Sequence, residues 1–248
     1  MVEYYLADFN LGKLAQKLGH VQDAKRYLAR AQGYRNLFDH NTGMLRPKKR
    51  DGSWLTPYDQ ELGRNFEPAP GYIEGNAWNY RFYVPHDIPG LIELLGGNNN
   101  FIKQLQQTFT THNYDMANEP DIAYPYLFNY VSGQEPKSKA KVTELIKQHY
   151  HNKPGGIPGN DDAGTLSSWL VFSMLGLYPT SPGIMDYATV KPAFEQITIK
   201  LSDKYHSGKQ LSIFATDNKL SKFNNTPLQN GFISHDLLIQ GGKLELSN

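Results

Sequence analysis

Residues 159–179 divide the sequence into a helical part and a β part. They read Gly159-Asn-Asp-Asp-Ala-Gly-Thr-Leu-Ser-Ser-Trp-Leu-Val-Phe-Ser-Met-Leu-Gly-Leu-Tyr-Pro179. Apolar residues crowd this stretch from Thr165 to Leu177, which predicts a helix, and Tyr178-Pro179 ends it because proline cannot continue a helix. We therefore predict a mainly α region over residues 1–178 and a small antiparallel β region over residues 179–248.

Helical spacing of apolar residues recurs throughout the part of the chain that precedes this stretch. Two helices fill the first forty residues and are expected to pair as an antiparallel hairpin. Further helices are predicted at 76–82, 88–95, 101–109, 120–131 and 138–150, which makes about eight helices before residue 179. Beyond the stretch, strands are predicted at 196–201, 210–215, 236–240 and 243–246, most of which alternate apolar and polar residues.

Composition excludes several classes of function. The 248 residues carry 25 basic and 24 acidic side chains, so no basic field favours nucleic acid. The absence of cysteine excludes disulfides, thiolate metal sites and a cysteine nucleophile. No apolar run approaches the ~20 residues that span a bilayer, so no membrane partner is expected. The N-terminus lacks the pattern of a signal peptide, which predicts a cytoplasmic protein if this start is the natural one.

Asp161 and Asp162 lie directly before the predicted helix of residues 165–177. One interpretation is that an aspartate simply caps this helix. The alternative uses the same position, because the positive end of a helix dipole stabilises an ionised carboxylate, which suits a general base or a metal ligand. Two adjacent aspartates allow both roles, with one residue capping and the other acting in catalysis.

Glu74 lies among aromatic residues at the start of another predicted helix. As a structural residue it would be a first-turn glutamate that the helix dipole stabilises. As a functional residue it would be desolvated by Tyr72 and Trp78 and kept protonated as a general acid. One protonated and one ionised carboxyl group form the catalytic pair of a glycosidase. The irregular stretch from residue 38 to 73 would then offer aromatic side chains on which sugar rings stack, namely Trp54, Tyr58, Phe66 and Tyr72.

Asn118 and Glu119 precede Pro120 in a third loop. They are typical of a helix start, with Asn as the cap and Pro in the first turn. Their amide and carboxylate oxygens also suit a hard cation such as calcium, for which histidine is a poor ligand. No nucleotide-binding loop, zinc-protease motif or serine-hydrolase elbow is present in the sequence.

Three segments together resemble one known family. They are residues 74–97, which begin Glu74-Gly-Asn-Ala-Trp-Asn-Tyr80; residues 114–130, which begin Tyr114-Asp-Met-Ala-Asn-Glu-Pro-Asp121; and the stretch 159–179 quoted above. In order and spacing they resemble glycoside hydrolase family ninety-two, the calcium-dependent, inverting exo-α-mannosidases. The resemblance implies a partial (α/α)6 barrel, followed by a small β-rich C-terminal region, and hydrolysis of terminal α-linked mannose from glycans such as N-glycans.

The resemblance also implies roles for individual residues. Glu74 matches the general acid of the family and Asp162 its general base, with Asp161 beside it. Asn118 and Glu119 match the calcium-binding segment, and Asn113 stands where many members have Gln. We expect the substrate, a mannose-containing oligosaccharide, to contact Trp78, Asn76 and Asp121.

Two hypotheses follow for the chain as a whole. Full-length members of the family carry an N-terminal β-sandwich and the first half of the barrel, which have no counterpart here, so the start at Met1 is expected to be internal. The chain is either the catalytic portion of an exo-α-mannosidase or a truncated, catalytically silent fragment that binds calcium or sugar. In both cases a separate N-terminal β-sandwich and half barrel is the expected protein partner.

Overall fold

The structure, a computed structural model, describes residues 1–64 and 67–247. Contacts within the chain divide it into two compact units, Met1–Asp121 and Ile122–Asn248. Helices predominate before Leu177, where the first long series of strands begins. The change from helix to strand therefore falls close to its predicted position, while the domain boundary at 178/179 stays a prediction.

The first unit is built mainly of helices. They are α1 (Val2–Lys17), α2 (Val21–Ala31), α3 (Ala77–Tyr80), α4 (Ile88–Leu94) and α5 (Asn98–Thr110), with a 3-10 helix at Gln32–Leu37. An added Cβ on Gly12 would lie 2.7 Å from the Leu28 side chain, and one on Gly33 would lie 2.4 Å from Tyr5. Gly12 of α1 lies against Leu28, and the earlier residue Tyr5 lies against the later residue Gly33. The two segments therefore run in opposite directions, and α1 and α2 form the expected antiparallel pair.

The irregular stretch of the first unit is ordered by contacts among its own residues. Strands β1 (Phe38–Asp39) and β2 (Met44–Leu45) form a short antiparallel hairpin. Beyond it, the Arg46 guanidinium lies 4.4 Å from the centre of the Tyr58 ring, and the Lys48 ammonium lies 4.2 Å from the Trp54 ring. Cations therefore lie over these two rings, which does not favour their use as sugar platforms. Phe66 lies outside the described residues.

The second unit begins with helices and ends with strands. A 3-10 helix spans Tyr124–Tyr130, and α6 (Glu135–His149) and α7 (Thr165–Leu175) follow. Trp169 of α7 is buried and stacks on Tyr150 with a centroid distance of 5.7 Å, while Tyr126 stacks on Tyr178 at 4.1 Å. This aromatic cluster fixes α7 within its unit, and with it the loop that precedes α7.

Two sheets complete the second unit. The strands are β3 (Leu177–Pro179), β4 (Asp186–Thr189), β5 (Gln196–Lys200), β6 (Gln210–Thr216), β7 (Lys222–Phe223), β8 (Thr226–Pro227), β9 (Phe232–Ser234) and β10 (Gly242–Ser247). One sheet has the order β3-β4-β9 and the other β5-β6-β10-β7-β8. The expectation of a purely antiparallel region is wrong in one place, because β10 pairs with β6 in parallel.

One predicted strand is a helix. Residues 236–240 were expected to be extended, but His235–Leu238 forms α8. The Ser234 hydroxyl accepts a hydrogen bond from the Leu237 N–H at 3.4 Å, which caps the helix at its start. Among the helices that the structure describes, none combines the length and apolar character needed to cross a lipid bilayer.

Candidate active site

A polar cavity of about 280 Å³ lies within the first unit. Four of the predicted site residues line it: Glu74, Asn76, Asn113 and Asn118. The remaining lining residues are Gly63, Arg64, Gly75, Asn79, His112, Tyr114 and Asp115. The predicted acid and two of the predicted cation ligands thus share one cavity, although Asn113 and Asn118 lie 39 and 44 positions after Glu74 in the sequence. Trp78, Glu119 and Asp121 are not lining residues of this cavity.

The backbone at Glu74 is held in an unfavourable conformation. Its φ of 50° lies in the left-handed region, which costs a non-glycine residue roughly 1–2 kcal/mol. The Asn118 side-chain amide donates a hydrogen bond to the Glu74 carbonyl at 2.8 Å. An added Cβ on Gly75 would lie 3.2 Å from the same amide nitrogen, so glycine allows this close approach. Such conformations concentrate at functional sites, where surrounding contacts hold them in place.

Helix α3 begins at Ala77 and is capped by Asn76, so Glu74 is not the first-turn residue of the structural interpretation. The Asn76 Oδ1 accepts hydrogen bonds from the backbone of Trp78 at 2.9 Å and of Asn79 at 3.3 Å. In return the Asn79 Oδ1 accepts one from the Asn76 N–H at 3.0 Å. This reciprocal cap fixes Asn76 at the cavity wall, and its Oδ1 is committed to the helix.

The prediction that Tyr72 and Trp78 desolvate Glu74 is wrong within the first unit. The Tyr72 hydroxyl donates to the Leu45 carbonyl at 2.7 Å, and the Trp78 indole donates to Glu61 at 2.8 Å. The polar atoms of both rings are thereby bonded to residues other than Glu74, whose side chain is exposed. Trp78 is buried and does not line the cavity, so its predicted contact with substrate finds no support in this unit.

Asp121 is a buried link between two walls of the cavity. Its exposed fraction is 0%, and its Oδ2 accepts hydrogen bonds from the Asn79 amide and the Asp115 backbone N–H, both at 3.0 Å. Burial raises the pKa of Asp121 well above its usual range. The prediction that Asp121 contacts substrate is therefore corrected: the residue joins the cap of α3 to the loop that carries Asn113 and Asn118.

Arg64 is a cavity residue that the sequence did not single out. Its guanidinium donates hydrogen bonds to the Asn113 Oδ1 and to the Glu61 carboxylate. Glu61 also accepts the indole N–H of Trp78. The amide oxygen predicted to bind calcium is thus occupied by a guanidinium. In the sequence, only its position within the irregular stretch drew attention to Arg64. That stretch contains 36 residues, so it did not distinguish Arg64 from its neighbours.

Asp161 and Asp162 divide their roles in the second unit. Helix α7 begins at Thr165, and the Asp161 carboxylate accepts hydrogen bonds from the Ser167 backbone N–H at 2.8 Å and hydroxyl at 2.7 Å. The two bonds from Ser167 lower the pKa of Asp161. Asp161 therefore caps the helix from outside its first turn, as the capping interpretation predicted for one of the two aspartates.

Asp162 presents its carboxylate to solvent. Residues 162, 163 and 164 all have positive φ, at 46°, 58° and 90°. The Asp162 carbonyl accepts hydrogen bonds from the Thr165 N–H at 3.2 Å and hydroxyl at 2.7 Å, which stabilises this left-handed turn. Its side chain is exposed, and no donor to its carboxylate occurs in the described part of the chain. Both predicted catalytic carboxylates, Glu74 and Asp162, thus lie on left-handed backbone.

Replacing Ser167 by Ala is expected to raise the pKa of Asp161 toward that of a free carboxyl group. Ionised Asp161 gains its two hydrogen bonds only in the folded chain, so the stabilisation it provides is present at neutral pH. It is lost as the pH falls below the usual carboxyl range and through the lowered pKa. A carbon-detected NMR titration of the aspartate carboxyls measures the shift. Ser168→Ala is the matched control, and an unchanged Asp161 titration in Ser167→Ala would contradict this assignment.

Comparison with known proteins assigns the chain to a class of enzymes. Residues 1–247 match the model of the catalytic domain of glycosyl hydrolase family 92, a class of enzymes that hydrolyse glycosidic bonds. The chain belongs to glycosyl hydrolase family 92.

Solved structures agree with this assignment. A family GH92 alpha-mannosidase from Bacteroides thetaiotaomicron superposes with a TM-score of 0.89 at 28% identity, over 99% of this chain and 33% of that one. A family GH92 inverting mannosidase from strain VPI-5482 of the same species superposes with a TM-score of 0.87 at 28% identity, over 99% of this chain and 36% of that one.

A curated relative shows the same relation in length. It is an uncharacterized secreted glycosidase from Arthroderma benhamiae, 29% identical over 284 residues, which cover 99% of this chain and 34% of the relative. The chain therefore spans about a third of the length of the relatives that it matches.

Proposed function

We propose that this chain carries the general acid, the general base and the cation ligands of a calcium-dependent, inverting exo-α-mannosidase. The observation that carries the proposal is that Glu74 lines one polar cavity together with Asn113 and Asn118. Support comes from the mannosidases among the structural relatives, one of which is described as inverting. We further propose that the helices of the chain belong to an (α/α)6 barrel.

In the proposed reaction, Glu74 donates its proton to the glycosidic oxygen of the departing sugar. Asp162 takes a proton from the water that attacks the anomeric carbon on the opposite face, so that the configuration inverts. Glu74 ends as a carboxylate and Asp162 as a carboxylic acid, and exchange with solvent restores both. One feature suits the proposed base: the Asp162 carboxylate is not consumed by capping the helix, because Asp161 does so.

The oxygen donors of the cavity suit calcium in type. Asn118 uses its side-chain nitrogen to hold Glu74, which leaves its Oδ1 as a possible ligand, and Asn113 offers an amide oxygen once Arg64 moves away. Glu119 follows Asn118 in the sequence and is exposed, outside the lining of the cavity. In the described ranges, no three His, Asp or Glu side chains group as a metal cluster, so amide oxygens would be needed. A calcium ion bound there would supply a positive charge that orients sugar hydroxyls and stabilises the transition state.

The proposed substrate is a mannose-containing oligosaccharide with an α-linked terminal mannose. One relative from Bacteroides thetaiotaomicron was solved with mannoimidazole bound, at 27% identity and with a TM-score of 0.88. Since the chain covers 35% of that relative, we propose that further segments of a family member, an N-terminal β-sandwich and the first half of the barrel, complete the sugar pocket as a partner.

A second candidate function is binding of calcium or mannose without hydrolysis. Exposure of Glu74 favours it, because a general acid that works at neutral pH is usually desolvated. Under this alternative, calorimetry detects calcium or mannose binding by the chain while no mannose is released.

Chelation is expected to abolish hydrolysis. With calcium present, the chain should release mannose from α-mannobiose, and a chelator should slow the release by about 100-fold or more, because the metal contributes several kcal/mol to transition-state stabilisation. Proton NMR of the first minutes should show β-mannose as the initial product. Magnesium added after the chelator is the matched control for ionic effects. Initial release of α-mannose would contradict inversion, and full activity in chelator would contradict calcium dependence.

A further inference from the structure

A second cavity, which the proposed reaction does not use, lies within the second unit. Its volume is about 500 Å³. The polar side chains that matter for its chemistry are Lys139 of α6, Ser247 of β10, Ser221, Lys219 at an exposed position, and Glu135. We propose that this cavity binds an oxyanion, such as the phosphate or carboxylate group of a small organic ligand.

The first argument is the direction of the hydrogen bonds. The Lys139 ammonium, which can only donate, bonds to the Ser247 hydroxyl. The Ser247 oxygen is 3.3 Å from the Ser221 oxygen, and the Ser221 oxygen also accepts the Ser247 backbone N–H at 3.0 Å. Either hydroxyl can be the donor between Ser247 and Ser221. In both arrangements the Ser247 oxygen accepts from Lys139, and one of the two hydroxyl protons is left to donate.

The unused groups of Lys139 and the two serines are therefore mainly donors, whereas the Glu135 carboxylate is an acceptor. The ammonium of Lys139 has N–H groups beyond the one given to Ser247, and one serine hydroxyl proton is left over. A ligand that satisfies several donors at once has to offer several acceptors. An oxyanion does so, whereas a neutral sugar hydroxyl also brings a proton that needs an acceptor.

The second argument is charge. Lys139 is partly buried, and burial lowers the pKa of its ammonium. Within the described residues, Lys139 forms no ion pair with a carboxylate, and Glu135 acts on it only at longer range. An anion bound beside it would restore the electrostatic partner that this cation lacks.

The third argument is the position of α6. This helix of 15 residues starts at the cavity, since Glu135 and Pro136 of its first turn are lining residues. The positive end of its dipole adds to the potential of Lys139, and Glu135 partly offsets it. Ser247 is 3% exposed, so the hydroxyl that Lys139 contacts belongs to a buried strand residue rather than to a mobile surface side chain. The volume exceeds that of a phosphate ion, which leaves room for an organic group.

Titration of the ¹⁵N-labelled chain with inorganic phosphate tests the proposal, with acetate as a second probe and sodium chloride at equal ionic strength as the blank. The expected result is saturable shifts of the amides of Ser221, Ser247 and Gly231, which also lines the cavity. Lys139→Met keeps the apolar stem and should weaken binding by about tenfold or more, because a charge-assisted hydrogen bond is lost. Saturation by phosphate alone would indicate a phosphate site. Saturation by both probes would indicate a general oxyanion site.

Matched variants make the test decisive. Lys147→Met lies on the same helix at an exposed position and should leave binding unchanged within about twofold, since a surface lysine contributes little. Ser221→Ala should weaken binding by about threefold to tenfold, and it decides the matter if Lys139→Met lowers the unfolding temperature. Unsaturable shifts spread over surface lysines, or equal affinity in Lys139→Met and Lys147→Met, would overturn the proposal.

Discussion

Glu74→Gln is expected to slow mannose release from α-mannobiose by about 10²- to 10⁴-fold, because the amide has no acidic proton to give to the departing sugar oxygen. The loss should be much smaller for 2,4-dinitrophenyl α-mannoside. The dinitrophenolate leaves without protonation, so the acid contributes little to its departure. Initial rates on the two substrates, measured with calcium, give the ratio that identifies a proton donor.

Glu67→Gln is the matched control for Glu74→Gln. Glu67 is also exposed and lies seven residues earlier, in the irregular stretch that precedes Glu74, so its replacement should leave both rates unchanged. An equal loss on the two substrates in Glu74→Gln would indicate damage to the cavity instead of loss of the acid. Full activity on α-mannobiose would remove Glu74 from the mechanism.

Local patterns in the sequence predicted the long helices well. Helix α7 was expected at 165–177 and runs Thr165–Leu175, and α6 was expected at 138–150 and runs Glu135–His149. Apolar spacing within one helix is a local property, so the sequence contains it in full. Residues 236–240 contain a short apolar run that was interpreted as a strand, yet the Ser234 hydroxyl caps a helical turn there, and a single cap of this kind overrides so short a run.

Pairing between distant segments was beyond local patterns. The parallel register of β10 on β6 sets Leu244 opposite Ile213, across about thirty residues. Alternation in each strand is compatible with either direction, so nothing in the two segments distinguished parallel from antiparallel pairing. The β region therefore contains both parallel and antiparallel pairs, which the pattern of each single strand does not reveal.

The candidate site shows the same difference between local patterns and long-range contacts. The motif at residues 74–80 marked Glu74, and the motif at residues 118–121 marked Asn118, but their hydrogen bond joins residues 44 positions apart. Asp121 looked like a site residue because it follows Glu119, and burial instead makes it the link from Asn79 to Asp115. Residue type and motif identify candidates, whereas long-range contacts decide which of them can reach a ligand.

The left-handed backbone at the two carboxylates has a common consequence. Glu74 and Asp162 have φ values of 50° and 46°, each costing roughly 1–2 kcal/mol for a non-glycine residue. Glycine would relieve that cost in both places, so stability alone does not favour a carboxylate there. Nearby hydrogen bonds from Asn118 and Thr165 hold the two carbonyls in place. The cost is understandable if each carboxylate is needed for a reaction.

Asp162→Asn is expected to slow hydrolysis of both substrates by about 10²- to 10⁴-fold, because the asparagine amide cannot take a proton from the attacking water. In a single displacement, water attack accompanies departure of either leaving group, so the dinitrophenyl mannoside gives no relief here, in contrast to Glu74→Gln. Azide needs no deprotonation and should restore turnover of the dinitrophenyl substrate, with β-mannosyl azide as the product. NMR of that product reports the face of attack.

Two aspartate controls separate the base from its surroundings. Asp203→Asn changes an exposed carboxylate of the same unit and should leave the rates unchanged. Asp161→Asn removes the charge that accepts two bonds from Ser167, so it should lower the unfolding temperature and slow both substrates without rescue by azide. Rescue by azide in Asp161→Asn and none in Asp162→Asn would exchange the two roles. Because Asp161 is held by the helix and Asp162 faces solvent, we expect azide to act only where Asp162 has been replaced.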